Sequence, residues 1–416
     1  GGQVSLQSGR LRCFRVATGR VVLPFGDPVR DVHVGLTTVG QRQAAAVAAC
    51  GLELVDVADV AEVSERPALV LFDDVFVTEM ALRQFVAQAL SAREDLALAM
   101  EDGPLARATD PFGEVRREGE DRVYDLAVLV DPAPVRDVAE LHRRAKPWRM
   151  PARERTTRLA LPPSVGADRT PGAREADAPI TARIVAPVRH WVQVLRLAQL
   201  SIGVELLDAL RAEPRRMLRL RLMPKRDPWS VSRKLVFVHP TARVHPTADL
   251  EAAIIGPGAV VEAHAHVHRS VLGANVRLGD HAVVVGCMLA ERVQVLRASY
   301  IALCAAMPGG TLASYKVQMS LFGRDVFLTT SAWLIDAKLK GEVQVEHEGQ
   351  RHAVGPFLGC CLGHRVTLGA QVLVQAGRAV PNDATVVGAP DRFLSQIGEV
   401  APPGVSTVRD GRLVPL

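Results

Sequence analysis

Two adjacent aspartates follow a continuous apolar run in the first third of the chain. The run Ala68–Phe72 has the composition of a buried central strand, and Asp73 and Asp74 come directly after it. A carboxylate at the carboxyl end of such a strand is well placed to bind a hard cation such as Mg²⁺. The same side chains could instead cap the following turn or helix. Both interpretations stay open from the sequence.

A second group of reactive residues lies in the segment 307–356. Tyr315, Lys316, Arg324 and Lys338 fall within two dozen positions of one another. Such a combination of cations and a phenol could bind a sugar phosphate. It could equally pack against a neighbouring subunit, with the charges forming exposed ion pairs that contribute little free energy.

The elements that would position Asp74 belong to an α/β pattern. Short aliphatic runs alternate with helical patterns over the first 140 residues, which predicts βα units and a mostly parallel sheet. After Asp74, one apolar face recurs at helical spacing; its residues are Leu82, Phe85, Val86, Ala89 and Leu90.

A repeat of seventeen residues begins near Val238. Aliphatic residues follow one another in steps of six, six and five, which fits neither a helix nor a hairpin sheet. The anchors are Val238, Val244, Leu250, Ile255, Val261, Val267, Leu272, Leu278, Val284, Leu289, Val295 and Ile301. A coil with three short strands, stacked on the next coil at about 4.8 Å, fits this spacing. The pattern returns after residue 356, so one solenoid is expected, interrupted by 307–356.

The repeat resembles the hexapeptide left-handed parallel β-helix of acyltransferases, and Ala376–Asn382 and Val387–Pro390 are similar to its closing turns. An α/β domain followed by this β-helix resembles the sugar-nucleotide pyrophosphorylase-like proteins, including the bifunctional glucosamine-1-phosphate acetyltransferase/uridylyltransferase type. The resemblance implies a sugar phosphate or nucleotide sugar as ligand and a homotrimer formed through the β-helix. Fold alone does not supply the chemistry.

Roles for individual residues follow from the same resemblance. It implies Asp74 as the Mg²⁺ ligand of nucleotidyl transfer from a nucleoside triphosphate, and a Gly-rich loop after the first strand. The sequence shows no such loop, and Gly1-Gly2 could be its remnant, so this site is expected to be degenerate. Acyl transfer from acetyl-CoA would need a base, commonly histidine. His364 is the candidate among His347, His352 and His364, although it could be an exposed corner residue.

A zinc site is a further alternative on this fold, because γ-type carbonic anhydrases bind zinc with three histidines on a β-helix. His264 and His281 are one coil apart, should stack, and could share a zinc ion. His239-Pro240-Thr241 and His245-Pro246-Thr247 look instead like corner sequences.

Composition excludes several other classes. With 48% apolar and 23% charged residues, the chain is expected to fold as a globular protein of two or three domains. Aromatic residues make up only 4%, which argues against nucleic-acid binding. Neither a membrane span nor a secretory signal is apparent, so a cytoplasmic protein is expected. Six cysteines without a C-x-x-C pair are expected to be reduced and mostly buried.

These patterns divide the chain into seven predicted segments. They are a nucleotidyltransferase-like α/β domain (1–145), a Pro/Arg-rich linker (146–187), a helical or extended connector (188–235), a first β-helix part (236–306), an inserted region (307–356), a second β-helix part (357–390) and a tail (391–416). The leading hypothesis is a sugar-phosphate or nucleotide-sugar transferase-like protein. The alternatives are a non-catalytic trimeric scaffold or regulatory protein and a γ-carbonic-anhydrase-like zinc protein.

Overall fold

A computed structural model describes residues 11–151, 155–160, 175–222, 228–338, 340–389, 391, 393–396 and 404–415. Its N-terminal sheet consists of seven strands: β1 (Arg12–Val16), β2 (Glu53–Val57), β3 (Ala68–Phe72), β4 (Leu96–Glu101), β5 (Arg116–Glu118), β6 (Asp121–Leu129) and β7 (Lys146–Arg149). Their order is β7-β4-β6-β3-β1-β2, with β5 paired to β6. Only β6 runs against the common direction: it lies antiparallel to β3, to β4 and to β5. The predicted α/β domain with a mostly parallel sheet is confirmed.

Seven α-helices occur in the described residues. They are α1 (Val39–Ala49), α2 (Glu79–Ala92), α3 (Pro104–Thr109), α4 (Val138–Arg144), α5 (Trp191–Ala212), α6 (Pro214–Arg221) and α7 (Pro228–Lys234). Among them, none has the length and hydropathy needed to cross a bilayer. In α2, most of the predicted apolar face packs into the core, with Leu82, Phe85, Val86 and Ala89 buried, whereas Leu90 is 37% exposed. Two short 3₁₀ helices span Val29–Asp31 and Val60–Glu62.

Part of the predicted linker belongs to the sheet. Strand β7 pairs in parallel with β4, and Trp148 packs against Phe85 with ring centroids 6.1 Å apart. Proline 147 is tolerated because β7 is an edge strand, where a missing N–H costs no ladder hydrogen bond. The strands Arg155–Ala160 and Glu175–Ile180 pair with each other, and Val185–Pro187 pairs with Val75–Val77.

Most of the described part of the predicted connector is helical, in α5, α6 and α7. The period-two alternation of Met217–Leu222 predicts a strand or an amphipathic edge, but these residues lie in or directly after α6. Proline at the first helical position and a run of Arg, Met and Leu, all good helix formers, account for the difference.

Three stacks of short parallel strands form the C-terminal β-helix. The first stack contains Phe237–Val238, Ile254–Ile255, Val271–Leu272, Met288–Leu289, Ala305–Ala306, Leu321–Phe322, Cys361–Leu362 and Ala379–Val380. The second contains Arg243–Val244, Val260–Val261, Arg277–Leu278, Gln294–Val295, Thr311–Leu312, Phe327–Leu328, Thr367–Leu368 and Thr385–Val386. The third contains Asp249–Glu251, His266–His268, Val283–Val285, Tyr300–Ala302 and Val317–Gln318, and Trp333–Leu334 pairs separately with Leu373–Val374. The predicted stacked coils are thus present, and the anchors from Ile255 to Ile301 form one interior core, whereas Val238 is exposed.

Glycines at the coil corners allow this stacking. A Cβ on Gly256 would lie 2.7 Å from the backbone of Gly273 in the next coil, and a Cβ on Gly323 would lie equally close to Gly363. Successive backbones therefore approach too closely at this corner for a larger residue.

The β-helix continues through much of the segment predicted as an insertion. Leu312, Val317, Phe322, Leu328 and Leu334 are buried anchors of further coils, paired in register with their neighbours. The repeat is hard to follow here because one step shortens from six to five residues between Leu312 and Val317. In addition, the anchor before Leu312 is Ala306, whose small side chain makes the repeat less visible in the sequence. The described chain leaves the coils only after Leu334 and rejoins them at Cys361.

The segment between these points forms a hairpin, Gln344–His347 paired with Gln350–Ala353. It packs on α5: Val343, Val345, Val354 and Leu358 share a buried cluster with Trp191 and the apolar face of that helix. The outward side chains of the first stack, Val271, Met288, Ala305, Leu321 and Cys361, belong to the same cluster. Helix α5 therefore lies between the hairpin, the α/β domain and one face of the β-helix.

Two smaller hairpins, Val21–Val22 with Asp27–Pro28 and His33–Val34 with Thr37–Thr38, contribute Val22 and Val34 to the buried cluster of α5 and the first strand stack. A last hairpin pairs Ser406–Arg409 with Arg412–Pro415. All six cysteines are free and five of them are buried, as expected for reduced thiols.

Candidate functional site

The loop after β1 lies at the carboxyl end of the parallel strands. Backbone N–H and side-chain hydroxyl of Thr18 both donate to Asp73 Oδ1, at 3.0 and 2.6 Å. Gly19 adopts a left-handed conformation, with φ +66°. This loop, residues 17–20, occupies the place expected for a Gly-rich loop but contains a single glycine. With one glycine, the loop 17–20 does not show the Gly-rich motif by which such a loop is found in a sequence. The proposed remnant of that motif, Gly1-Gly2, lies outside the described residues.

A cleft of about 250 Å³ opens beside this loop. Its polar lining comes from Arg15, Arg30, Asp56 and Asp73, and the small side chains of Ala17, Val57 and Ala58 complete it. The guanidinium of Arg15 donates two hydrogen bonds to Asp56, at 2.6 and 3.0 Å. Together with the positive charge of Arg30, these bonds lower the pKa of Asp56 despite the opposing effect of burial. Arg30 is exposed and has no ion pair within the part of the chain that the structure describes.

Asp74 points away from the cleft toward β6 and the start of α5. Its side chain is 1% exposed, and Oδ2 accepts a hydrogen bond of 2.8 Å from Arg189 Nε. Arg20 Nε lies 3.6 Å from the same oxygen. Burial raises the pKa of Asp74, and the charge of Arg189 opposes that effect. The second oxygen, Oδ1, is buried without a hydrogen-bond partner among the described residues.

These contacts do not fit a Mg²⁺ ion at Asp74. One carboxylate oxygen is bound by a guanidinium, and a second guanidinium lies close by, so two fixed cations already occupy the surroundings of the carboxylate. Magnesium is usually held by one or two carboxylates together with waters and substrate phosphates. Asp125, an acid whose charge acts on Asp74, is hydrogen-bonded to His142 at 2.8 Å. The geometry therefore describes a carboxylate–arginine pair in place of a metal centre.

Arg189 connects this pair to its surroundings. It lies 3.6 Å from Asp125 Oδ2, and its Nη1 donates to the carbonyl oxygen of Glu114 at 3.5 Å. Burial acts to raise the pKa of Asp125, but the hydrogen bond and charge of His142 with the charge of Arg189 lower it overall. The position of Arg189 follows from α5, which begins two residues later. Sequence reasoning did not identify Arg189, because nothing in its neighbourhood marks it as a partner of Asp74.

Next to Arg189, a cluster of histidines joins the α/β domain to the β-helix hairpin. His347 Nε2 lies 2.8 Å from Glu114 Oε1, and Phe112 packs against His190, His347 and His352. One ligand atom from each of Glu114, His347 and Glu348 lies within 4.8 Å of the other two, close enough to hold a cation. His190 is committed to structure: Nδ1 accepts from the Val192 N–H and caps α5, and Nε2 contacts the carbonyl oxygen of Glu346 at 3.1 Å.

His364, the candidate base, is buried in a contact between the two halves of the molecule. Its Nδ1 accepts from the Arg324 N–H at 2.8 Å, and its Nε2 lies 3.0 Å from Asp27 Oδ2. Two guanidinium nitrogens of Arg324 bind the same carboxylate, at 2.8 and 2.9 Å. Burial lowers the pKa of His364, and the hydrogen bond that its Nε2 donates to the Asp27 carboxylate opposes this effect. Both ring nitrogens are used and the side chain is 2% exposed, so the described geometry leaves no free nitrogen for a substrate.

The other three candidate binding residues are not drawn into this contact. Tyr315 is 62% exposed in a turn of the β-helix. Lys316 lies near Asp336, where burial raises the pKa of the carboxyl and the lysine charge opposes it. Lys338 is exposed on the segment leading to the hairpin. Of the four predicted residues, only Arg324 meets another predicted site residue, His364.

The predicted stacking of His264 over His281 is confirmed, with ring centroids 5.0 Å apart and an interplanar angle of 16°. The two corner sequences also behave as predicted: the Thr241 and Thr247 N–H groups donate to Nδ1 of His239 and His245 at 3.2 Å. A zinc ion shared by the stacked pair remains a prediction.

Comparison with protein-family models gave no match to this chain, and comparison with curated proteins gave none either.

Proposed function

We propose that the protein is a transferase-like protein that binds a sugar phosphate, or the sugar-phosphate part of a nucleotide sugar, at the carboxyl edge of its N-terminal sheet. The observation that carries the proposal is the cleft between the loop 17–20 and the ends of β1 to β3, where the exposed Arg30 is free of ion pairs among the described residues. Ligands of open α/β sheets bind at this edge.

The size and charge of the cleft favour a small anion. Its volume of about 250 Å³ is below the roughly 300 Å³ at which pockets begin to enclose drug-sized ligands. A hexose phosphate therefore fits better than a complete nucleotide sugar, whose remainder would extend into solvent. Arg30 offers the bidentate donors that suit a phosphate, and Asp56 and Asp73 offer acceptors for sugar hydroxyls.

The resemblance to sugar-nucleotide pyrophosphorylase-like proteins supports the same ligand class, and the surroundings of Asp74 suggest that nucleotidyl transfer has been lost. Arg189 binds the carboxylate at which that resemblance implies the cation. Acyl transfer is less well supported, because His364 is buried and both of its ring nitrogens are engaged. We therefore favour binding without nucleotidyl transfer.

A homotrimer formed through the β-helix is the second part of the proposal. Large apolar side chains are exposed near the C-terminal coils: Trp333 is 48% exposed, Ile335 38% and Leu373 64%. Trp333 and Leu373 stand next to each other on paired strands. A second copy of the chain would cover this patch, as contiguous exposed apolar residues on a soluble surface often mark an interface.

Isothermal titration tests the ligand. We expect a hexose 1-phosphate to bind with or without Mg²⁺, and Arg30→Ala to weaken binding at least about tenfold, or about 1.4 kcal/mol. Arg277→Ala, an exposed arginine on the β-helix, serves as the matched control and should bind like the wild type. UTP, dTTP, GTP and acetyl-CoA complete the panel, and no pyrophosphate should be released from the triphosphates.

Absence of heat with every compound in this panel would overturn the proposal. Equal affinity of the wild type and Arg30→Ala would move the ligand away from this cleft. Release of pyrophosphate in the presence of Mg²⁺ would show that nucleotidyl transfer has been retained.

A further inference from the structure

The outer face of the third strand stack carries a cluster that is distinct from the stacked pair His264 and His281. Asp249 lies on the first strand of this stack, and His266 and His268 lie on the second. His268 Nε2 is 2.9 Å and His266 Nδ1 is 3.4 Å from the same oxygen, Asp249 Oδ2. One ligand atom from each side chain falls within 4.8 Å of the other two.

The register of the strands brings these residues together. Alternate residues of a strand point to the same side, so His266 and His268 both face outward while Val267 is buried in the core. Asp249 pairs directly with His266, and Glu251 pairs with His268. Glu251 is turned toward α7, where Ser232 Oγ donates to it at 3.1 Å and Arg233 lies 3.7 Å away. The two imidazoles therefore contact the carboxylate of Asp249 and not that of Glu251.

The donor set and its spacing suit a borderline divalent metal. Zinc is bound by imidazole nitrogens and carboxylate oxygens at about 2.0–2.2 Å, which places two ligands of a tetrahedral ion about 3.3 Å apart. The distances from Asp249 Oδ2 to His268 Nε2, 2.9 Å, and to His266 Nδ1, 3.4 Å, bracket this value. The side chains are 25% to 47% exposed, so an ion can enter from solvent. The rings of His266 and His268 meet edge to face and are not stacked on each other. No ring stacking between them therefore competes with their approach to Asp249.

We propose that Asp249, His266 and His268 form a zinc site that links the first coil of the β-helix to the second. The first coil has another coil on one side only, and its anchors are incompletely covered: Val238 is 44% exposed, and Val244 and Leu250 are half-buried. A bond network through one ion ties Asp249 of this coil to two residues of the next. Zinc bound to the folded chain alone stabilises that end of the β-helix by mass action.

Zinc titration of the chelator-treated full chain tests this site. We expect binding at micromolar Zn²⁺, a higher thermal unfolding midpoint with Zn²⁺, and loss of both in His266→Ala/His268→Ala. Loss of groups that merely orient metal ligands costs 10- to 100-fold in affinity, so loss of two direct ligands should cost more than about 100-fold. His239→Ala/His245→Ala, at two exposed corners whose imidazoles bond to Thr241 and Thr247, is the matched control and should retain both effects. His264→Ala/His281→Ala and His347→Ala test the other candidate positions: loss of both effects in either of them, and not in His266→Ala/His268→Ala, would overturn the proposal.

Unchanged zinc affinity and midpoint shift in His266→Ala/His268→Ala would overturn the proposal, provided that its zinc-free midpoint matches the wild type. Anomalous diffraction at the zinc edge from wild-type crystals gives an independent answer that needs no variant. A peak between the three side chains supports the site, and anomalous peaks confined to other positions would overturn it. None of these outcomes depends on whether the sheet binds a sugar phosphate.

Discussion

The ion pair between Asp74 and Arg189 determines what the carboxyl edge of the sheet can do. Asp74 stands out in the sequence because it follows the apolar strand β3. Arg189 does not, since it is separated from Asp74 by 115 positions and meets it only where α5 begins. The carboxylate was therefore predictable, whereas its occupation by a guanidinium depended on the tertiary structure.

Replacing Arg189 should destabilise the protein strongly. In Arg189→Met, Asp74 would remain buried without its closest cation, and breaking a buried pair from one side costs about 3–5 kcal/mol. The double variant Asp74→Asn/Arg189→Met removes the uncompensated charge and should recover much of the lost free energy. Urea denaturation of the wild type and both variants measures the difference.

Arg297→Met provides the control for this comparison. Arg297 pairs with Asp280 on the surface, with side-chain exposures of 78% and 40%, so its loss should change the free energy of unfolding by less than about 1 kcal/mol. A loss in Arg189→Met no larger than in Arg297→Met would contradict the assigned role of the buried pair.

Among the secondary-structure elements, the β-helix strands were the most predictable. Each coil repeats one inward aliphatic residue at nearly fixed spacing, so the period is visible without knowledge of the fold. The prediction failed where that signal weakened, at Ala306 and at the five-residue step to Val317. The hairpin Gln344–Ala353 could not be derived, because its strands are too short and polar to show a pattern.

A second signal was present in the strands of the first stack. Val271-Leu272, Met288-Leu289 and Leu321-Phe322 are apolar at both positions, whereas Arg277-Leu278 and Gln294-Val295 of the second stack are apolar only inward. Strands apolar on both sides are covered on both faces. The contact with α5 was thus encoded in the sequence, although the identity of the covering helix was not.

The start of α5 predicts a pH-dependent stability. Burial, with a smaller contribution from His347, lowers the pKa of the helix-capping His190 from 6.5 to about 3. The unfolded chain therefore binds this proton first as pH falls, and stability is lost between about pH 6.5 and pH 3. The whole shift corresponds to at most about 5 kcal/mol. His190→Asn keeps a good N-cap without a titrating group, so it should flatten the dependence of stability on pH in this range.

The quantity to measure is the slope of the unfolding free energy against pH. The unfolding free energy at pH 7 alone is not informative, because His190→Asn also removes the ring contact with Phe112. His239→Asn, at an exposed corner, should keep the wild-type slope. An unchanged slope in His190→Asn would assign the acid sensitivity to other groups.

At the scale of the whole molecule, the two halves are joined by specific contacts. Asp27 and Arg324 are separated by 297 positions yet form a two-bond ion pair, with His364 against the same carboxylate. Sequence reasoning placed Arg324 and His364 in functional sites because their types suit such sites. It could not recognise them as partners of Asp27, since no local pattern reports a contact over that distance.

The proposed homotrimer predicts a measurable mass. Sedimentation should give a particle of three times the 44.8 kDa chain. Introducing charge by Leu373→Glu, within the exposed patch of Trp333 and Ile335, should shift the population to single chains, because a buried unpaired charge is costly at an interface. Analytical ultracentrifugation at several concentrations measures both.

Leu222→Glu is the control, since Leu222 is 72% exposed just after α6 and outside the patch. It should sediment like the wild type. A wild-type chain that sediments as a single copy at all concentrations would rule out the trimer, and an intact trimer in Leu373→Glu would place the interface on another face.

The position of α5 has a practical consequence for anyone dissecting the protein. Its apolar face is shared by the hairpin, the segment around Phe25 and Val34, and the outward side chains of the first strand stack. Cutting the chain on either side of α5 would expose an apolar surface on each of the two fragments. The two halves are therefore expected to be insoluble when expressed apart and to be recovered together when co-expressed.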